Sequence, residues 1–534
     1  MGSSSGARLD ISHDVEHPPF TFAPLSPTTF LDRARTAFAE RVAVVDGDLR
    51  ITYREFADRV ERLVGATRAW GCRPGERVAA LCTNSHVMLE LHHAVPLARL
   101  VLVPINIRLS VDEMTYVVEH SEARVVVATH ELADVARRIA GRTGARLVIA
   151  GGPDDEYEHW LAEALPEPVD TAVREAALLA VNYTSGTTGR PKGVMYHHRG
   201  AYLQALAMAH HARLAPGSVY LWTLPMFHCN GWCFTWAVGA AGGTHVCLRS
   251  VDTARIWSLL REEGVTHFSA APTVLTMIAE DPAAGPLARR VHIDTGGAPP
   301  SPTLLGRLAA LGLDVTHLYG LTETFGPIAV NEWQPEWDAL PVEDRNRLRA
   351  RQGIANLASR PLRVLDGDGK DVPADGETIG EIAVWGNNVM LGYYRDPEST
   401  ASVTRSGCFL TGDLGVMHPD GYVELRDRRK DIIISGGENI ASVEIERALD
   451  THPDVVESAV VGRPDSHWGE VPVAFVTLRE GSTATEQELV GFLRSSSLAR
   501  FKVPRTIVFT KLPKTSTGKI QKNVLRERAV GEGD

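Results

Sequence analysis

Cysteine is scarce in this chain. Six thiols in 534 residues (Cys72, Cys82, Cys229, Cys233, Cys247 and Cys408) show no paired spacing of a disulfide framework or a zinc ribbon. That argues against a stapled secreted scaffold and fits a reducing compartment. His228-Cys229 followed by Cys233 offers soft ligands on one short loop, but the fourth partner of a structural zinc site is missing. Long apolar runs are absent too, since none reaches the ~18–20 residues that span a bilayer. The opening MGSSSGARLDISHDVEHPP has no basic start followed by an apolar core, so a cytoplasmic protein without a membrane span is expected. Positive charge is in deficit. A formal net charge of −11 repels nucleic acid and anionic lipid, while leaving room for a local basic patch around a phosphate-bearing ligand.

What is present is ordinary globular material, 44% hydrophobic and 23% charged. A chain of 534 residues needs several subdomains, because single cores stop growing near ~250–300 residues. From Ile51 the pattern reads strand, then helix with Phe56, Val60, Leu63 and Val64 at helical spacing and Gly71 at its end, then strand at 78–82: a βαβ unit. The rhythm continues with a helix at 87–97, a strand at 101–105, a capping-box start at Ser110 with Glu113, and strands at 125–128, 147–150, 246–248, 267–270 and 315–318. Segment 360–427 turns to short strands with DGDGK and HPDG turns. From Asp431 the chain restarts as strand, helix, two strands, helix and a basic tail. The fold class expected is α/β. A multi-lobed N-terminal domain (1–427, with 1–20 frayed) would combine two mostly parallel sheets, their helices and a β-rich lobe; a hinge at 428–430 would lead to a small mobile α+β domain at 431–534.

Five clusters carry chemistry. Thr184-Ser185-Gly186-Thr187-Thr188-Gly189-Arg190-Pro191-Lys192-Gly193 follows an apolar run at 176–181; converging N–H groups, four hydroxyls and a lysine suit polyphosphate. It is not the Walker pattern, because Lys192 stands three residues after Gly189 and Gly193 replaces the magnesium-holding Ser/Thr. Tyr319-Gly320-Leu321-Thr322-Glu323 follows a strand, where ligands of open α/β sheets sit; Glu323 suits magnesium and Tyr319 suits a base, yet a plain turn with an exposed Glu reads as well. Asp413 in Thr411-Gly412-Asp413 suits two ribose hydroxyls or a simple turn. Arg428-Arg429-Lys430-Asp431 before IIISGGENI, and PKTSTGKI with Lys519, read alone as a charge run and a flexible tail.

In this order the five pieces TSGTTGRPKG, YGLTE, TGD, RDRRKDIIISGGENI and PKTSTGKI resemble the adenylate-forming (AMP-binding) superfamily, in its acyl-CoA synthetase branch, from about Phe30 to Lys522. The resemblance implies that Thr184, Ser185, Gly186, Thr187, Thr188, Gly189 and Lys192 hold the β- and γ-phosphates of ATP, with Thr184 and Glu323 near Mg2+. It places Gly296, Gly297, Ala298, Pro299, Tyr319, Gly320 and Thr322 around adenine, and Asp413 and Arg428 on the ribose. Lys519 would bridge the substrate carboxylate and the α-phosphate. Lys430 would stand at the hinge, and Gly436, Gly437 and Glu438 would line a pantetheine tunnel once the small domain has turned. The implied activity is formation of an acyl-AMP and pyrophosphate from a small carboxylic acid, then transfer to CoA.

Pro225-Met226-Phe227-His228-Cys229-Asn230-Gly231-Trp232 is similar to the family loop that gates the acyl pocket, so His228, Gly231, Trp232, Trp236, Gly296, Phe325 and Gly326 are the expected pocket residues. Two tryptophans point to short-to-medium or aromatic acids. Alternatives within the resemblance are a carrier-protein pantetheine or an amine as acceptor, and nitrite in place of the acid. From other classes stand a non-catalytic nucleotide-binding protein and a P-loop NTPase releasing ADP. A homodimer is one expectation for the assembly.

Overall fold

The computed structural model describes residues 22–167, 173–184, 190–297, 300, 302–435, 438–465, 467–496, 498–514 and 520–531. Residues 1–20, expected to fray, lie outside that set, as do Ser185, Gly186, Thr187, Thr188, Gly189, Ala298, Pro299, Gly436, Gly437 and Lys519.

Two sheets dominate the first 360 residues. One runs in the order Arg146–Ala150, Ala123–Thr129, Arg77–Leu81, Val101–Pro104, Leu178–Tyr183, Gly193–His197, parallel except for its last strand. Ala79, Ala80 and Leu81 are all fully buried, as a strand covered on both faces requires. The other is a nine-stranded sheet among the described residues. Its parallel centre includes His267–Ala270, Val291–Thr295 and Leu313–Leu321, and Gly326–Val330 returns antiparallel beside the last of these. Local chemistry starts the helices. The Ser110 hydroxyl accepts from Glu113 N–H while the Glu113 carboxylate accepts from Ser110 N–H, opening Val111–Ser121; such a cap contributes about 1 kcal/mol.

The expected βαβ unit is not one. Leu49–Thr52 pairs antiparallel with Val42–Asp46 at the edge of the nine-stranded sheet, whereas Arg77–Leu81 lies in the six-stranded one. The intervening helix Tyr53–Ala69 therefore passes from one sheet to the other, which its apolar spacing cannot encode.

The β-rich lobe is an antiparallel sheet of Arg363–Leu365, Gly380–Val384, Cys408–Met417, Thr404–Arg405 and Val423–Arg428. Past Arg428 a separate sheet forms from Ile433–Ser435, Glu438–Ile440, Val455–Asp465, Gly469–Leu478 and Thr506–Phe509. The basic tail is in fact a helix, Lys522–Gly531, whose Leu525 and Ala529, four residues apart, are buried with Ala459, Val461 and Phe475 of that sheet.

Three histidines, two on the helix His86–Leu97 and one on the strand Thr244–Val246 of the nine-stranded sheet, are enclosed. Burial pushes His92 down to about 4 and His93 and His245 down to about 3. All three are thus neutral in the fold, while an unfolded chain takes up protons below ~6.5. Their stabilising share is complete above that pH and is lost as pH falls toward 4, at about 1.4 kcal/mol per group per pH unit. His86 has the opposite sign: burial disfavours its charge, but Asp46 and Glu158 outweigh that and raise it to about 9. It is protonated in both states throughout the acid window and does not offset the loss. Thermal unfolding should show a Tm that falls steeply between pH 6 and 4.5, with His245→Gln flattening the slope; a flat Tm across that range would contradict neutral core histidines.

Candidate active site

Leu178–Tyr183 and Gly193–His197 pair antiparallel with Tyr183 opposite Gly193, and the hydroxyl-rich segment lies between them in the sequence. Thr184 N–H donates to the Lys192 carbonyl at 3.0 Å, closing the neck of the loop. Lys192 Nζ donates to Ser399 Oγ at 2.7 Å and stands 4.9 Å from the centre of the Tyr393 ring. Tyr393 Oη in turn donates to Glu323 Oε1 at 2.8 Å. Burial, and next the Glu323 charge, push the Tyr393 phenol well above its ordinary value, so it remains a donor. Lysine, phenol and carboxylate from three distant segments thereby face one place beside the loop.

Glu323 sits on the short turn Thr322–Thr324 at the end of the strand Leu313–Leu321. Tyr196 Oη donates to the Thr322 carbonyl at 2.6 Å, and Met390 N–H to the Glu323 carbonyl at 2.9 Å, so this turn is fixed from two sides. Gly320 lies against the Gly326 carbonyl with no space for a Cβ. Tyr319 does not leave its phenol free: buried, it donates to Asp413 Oδ2 at 2.7 Å. Arg428, directly across the ladder from Asp413, places Nε 3.2 Å from Oδ1. Tyr319, Asp413 and Arg428, predicted separately, are one cluster joining the end of the nine-stranded sheet to the β-rich lobe.

The loop before Trp236 has an uncommon backbone. Cys229, Asn230, Gly231, Trp232 and Cys233 all have φ between 50° and 65°, a left-handed turn. At ~1–2 kcal/mol for each non-glycine residue this costs roughly 4–8 kcal/mol, which the surrounding structure must offset. Asn84 contributes, accepting from Met226 N–H at 2.8 Å and donating to the Trp222 and Leu224 carbonyls. The turn lays the Trp232 indole in a slot between two glycines: a Cβ at Gly296 would stand 3.1 Å from its Cη2, and one at Gly326 2.9 Å from its Cδ1. His228 is half-buried at the start of the turn, its Nε2 3.8 Å from Cys229 Sγ. Burial pushes the Cys229 thiol up to about 12, leaving it protonated.

Family models for the AMP-binding enzyme and for the AMP-binding enzyme C-terminal domain match residues 31–394 and 444–519. The chain belongs to the AMP-binding enzyme family. It is similar to the peroxisomal acetate/butyrate–CoA ligase AAE7 of Arabidopsis thaliana, at 42% identity over 97% of this chain and 96% of that one. It is also similar to 4-hydroxybutyrate–CoA ligase 2 of Metallosphaera sedula, at 41% identity over 95% of each. Among solved structures, ATP-bound MatB from Rhodopseudomonas palustris matches with a TM-score of 0.83 at 31% identity, over 94% of this chain and 98% of that one. This AMP-binding enzyme is an ATP-dependent ligase of the acyl-CoA synthetase type, joining a carboxylic acid to CoA.

Not every predicted residue of this AMP-binding enzyme meets at the site. Trp236 is fully enclosed in the core and donates its indole N–H to the His92 carbonyl at 3.1 Å. Phe325 is likewise enclosed, stacked on Tyr196 at 3.9 Å between ring centres. Of the aromatic pocket candidates, only Trp232 occupies the glycine slot. Gly297 follows Gly296 at the end of the strand Val291–Thr295. Lys430 lies in the connection between Val423–Arg428 and Ile433–Ser435, where burial, and next the Arg428 charge, lower its pKa. Glu438 is exposed and pairs with Ser435.

Sequence reading missed the residues that attach the small domain. Asp427 Oδ2 accepts from Ser442 N–H and from Ser442 Oγ–H at 2.7 Å, at the start of the helix Ser442–Leu449. Lys522 then links Ser442 and Glu446, standing 2.7 Å from Glu446 Oε1. Nothing local marks these partners, which lie up to 80 residues apart in the chain. A separate cleft of about 270 Å³, lined by His86, Glu131, Glu158 and Arg249, shares no residue with the adenylation cluster. Asp46 pairs with His86 at 2.7 Å and with Arg249 at 3.1 Å there, and Glu131 with Arg249 at 2.5 Å; the cleft is a charge clamp between the two large sheets.

Proposed function

We propose that this ligase activates a short-chain acid, and that Trp232 sets the limit. The observation that carries this reading is the indole lying between Gly296 and Gly326, both of which the family resemblance assigns to the acyl pocket, so that in this reading a longer chain would meet the indole. The names of similar proteins, acetate/butyrate–CoA ligase, 2-methylpropanoate–CoA ligase and 4-hydroxybutyrate–CoA ligase, support the same size class. The six unpaired thiols support a reducing compartment such as the cytoplasm.

In the proposed mechanism the loop Thr184–Lys192 cradles the β- and γ-phosphates, with Lys192 supplying a point charge that Tyr393 and Ser399 hold in place. Glu323, half-buried with one oxygen accepting from Tyr393, and the Thr184 hydroxyl are hard oxygen donors of the kind Mg2+ takes beside phosphate. When bound, that ion would neutralise phosphate charge. Asp413, pinned by Tyr319 and Arg428, orients the ribose. Lys519, on the small domain, draws the acid carboxylate and the α-phosphate together. For the second half-reaction the small domain turns about 428–430, removing Lys519 and bringing Glu438 toward the thiol; the Asp427–Ser442 bonds make and break in that turn.

Trp232→Ala should raise kcat/KM for hexanoate over propionate by at least tenfold, since each methylene accommodated contributes about 1–3 kcal/mol. Pyrophosphate release measured across acetate to octanoate tests it, and an unchanged profile would refute the size reading.

A further inference from the structure

We propose that Asn230 is a positioning residue for acid length, acting from beneath Trp232 with His92 as its partner. The proposal rests on Trp232 as the end wall of the acyl pocket.

Asn230 is the second residue of the left-handed turn, at φ 50°, and is completely enclosed. Its main chain is engaged: the carbonyl accepts from Cys233 N–H and Thr235 Oγ–H, each at 3.1 Å. Its side chain is not. Neither Nδ2 nor Oδ1 bonds to any protein atom, although a buried amide left unpaired is costly. His92, on the helix His86–Leu97, supplies the complement. Its Nδ1–H donates to the Met88 carbonyl at 2.7 Å, which makes Nε2 the acceptor nitrogen of a neutral ring, and Nε2 is also unpartnered. The turn and this helix meet here: Thr235 Oγ–H donates to the Asn230 carbonyl, the next residue's indole N–H donates to the His92 carbonyl at 3.1 Å, and the Asn230 amide is a neighbour of the His92 ring. An amide donor and an imidazole acceptor, both sealed from solvent, complete each other directly after a small rotation or through one internal water.

This anchor sits two residues before the one it controls. Left-handed backbone is unfavourable for Trp232, and asparagine and glycine tolerate it best, so Asn230-Gly231 is where the turn is held. With the amide tied to His92, the chain cannot relax to ordinary dihedrals, and the indole stays between Gly296 and Gly326. Without the tie the turn loosens, the indole leaves the slot, and longer acids fit.

The test compares the kcat/KM ratio for hexanoate over propionate in His92→Phe, which leaves the turn's own sequence intact, and in Asn230→Gly, which keeps the left-handed tolerance but removes the amide. Both should raise the ratio at least about tenfold with KM for ATP unchanged. His92→Gln, whose amide oxygen can accept in place of Nε2, should stay near the parent enzyme. Added to Trp232→Ala, His92→Phe should change the ratio by less than about twofold, because the two act through one wall. An unchanged ratio in both single variants, or a tenfold shift on top of Trp232→Ala, would overturn the proposal. A Trp232→Ala profile identical to the parent's would overturn the pocket reading itself, and this inference with it. Should Asn230→Gly fail to fold, His92→Phe and His92→Gln decide the matter.

Discussion

Lys519→Ala should lower acid-dependent pyrophosphate release by about 10²–10³-fold while leaving CoA capture of supplied acyl-AMP within a few-fold of the parent enzyme. A carboxylate is a weak nucleophile approaching an anionic α-phosphate, and one fixed cation between them offsets the charge that develops. Thioester formation needs no such cation, because the mixed anhydride is already activated. Lys519 itself lies outside the described residues; on either side of it Lys514 bridges to Ile520, and Gln521 N–H donates to the Pro513 carbonyl at 2.8 Å. The described residues on either side of it, Lys514 and Ile520, are thus held side by side on the small domain. Measuring the two half-reactions separately is the check, and equal loss of both would contradict the two-position mechanism.

Asp413→Ala should raise KM for ATP by ~10²-fold and lower stability by about 3 kcal/mol. The carboxylate is buried between the Tyr319 hydroxyl and Arg428, and removing one partner of an enclosed pair leaves the others unsatisfied. Arg428 keeps some contact with solvent, which holds the cost to the low end of the ~3–5 kcal/mol range. Asp413→Asn preserves the acceptor for Tyr319 but not the charge, and should fall between the two. Pyrophosphate exchange at varied ATP, with a thermal melt of each variant, separates binding from folding; unchanged KM in a folded Asp413→Ala enzyme would remove the ribose role.

Elements whose cause is local were legible in the sequence. The Ser110 capping box opens its helix as expected, and buried strands such as His267–Ala270 fall where apolar runs place them. What sequence could not show depends on partners far along the chain. The helical face of Tyr53–Ala69 predicts burial but not that it joins two different sheets. Tyr319 looked free to meet a base until Asp413, 94 residues on, was found accepting from its hydroxyl. Trp232 and Trp236 stand four residues apart and share one residue type, yet the left-handed turn places the first in the glycine slot while the second, on the helix Phe234–Ala241, is in the core. Only Asn230-Gly231 hints at that turn locally. Tyr393, which connects Lys192 to Glu323, follows from no pattern within a single chain.

The most direct test is a mass-spectrometric product analysis of the purified enzyme with ATP, Mg2+ and a panel of acids from acetate to octanoate plus benzoate, with and without CoA. The account predicts acyl-AMP and pyrophosphate from a short acid when CoA is absent, and the matching acyl-CoA with AMP when it is present. ADP and phosphate as products, or no acyl-AMP from any short acid, would contradict it.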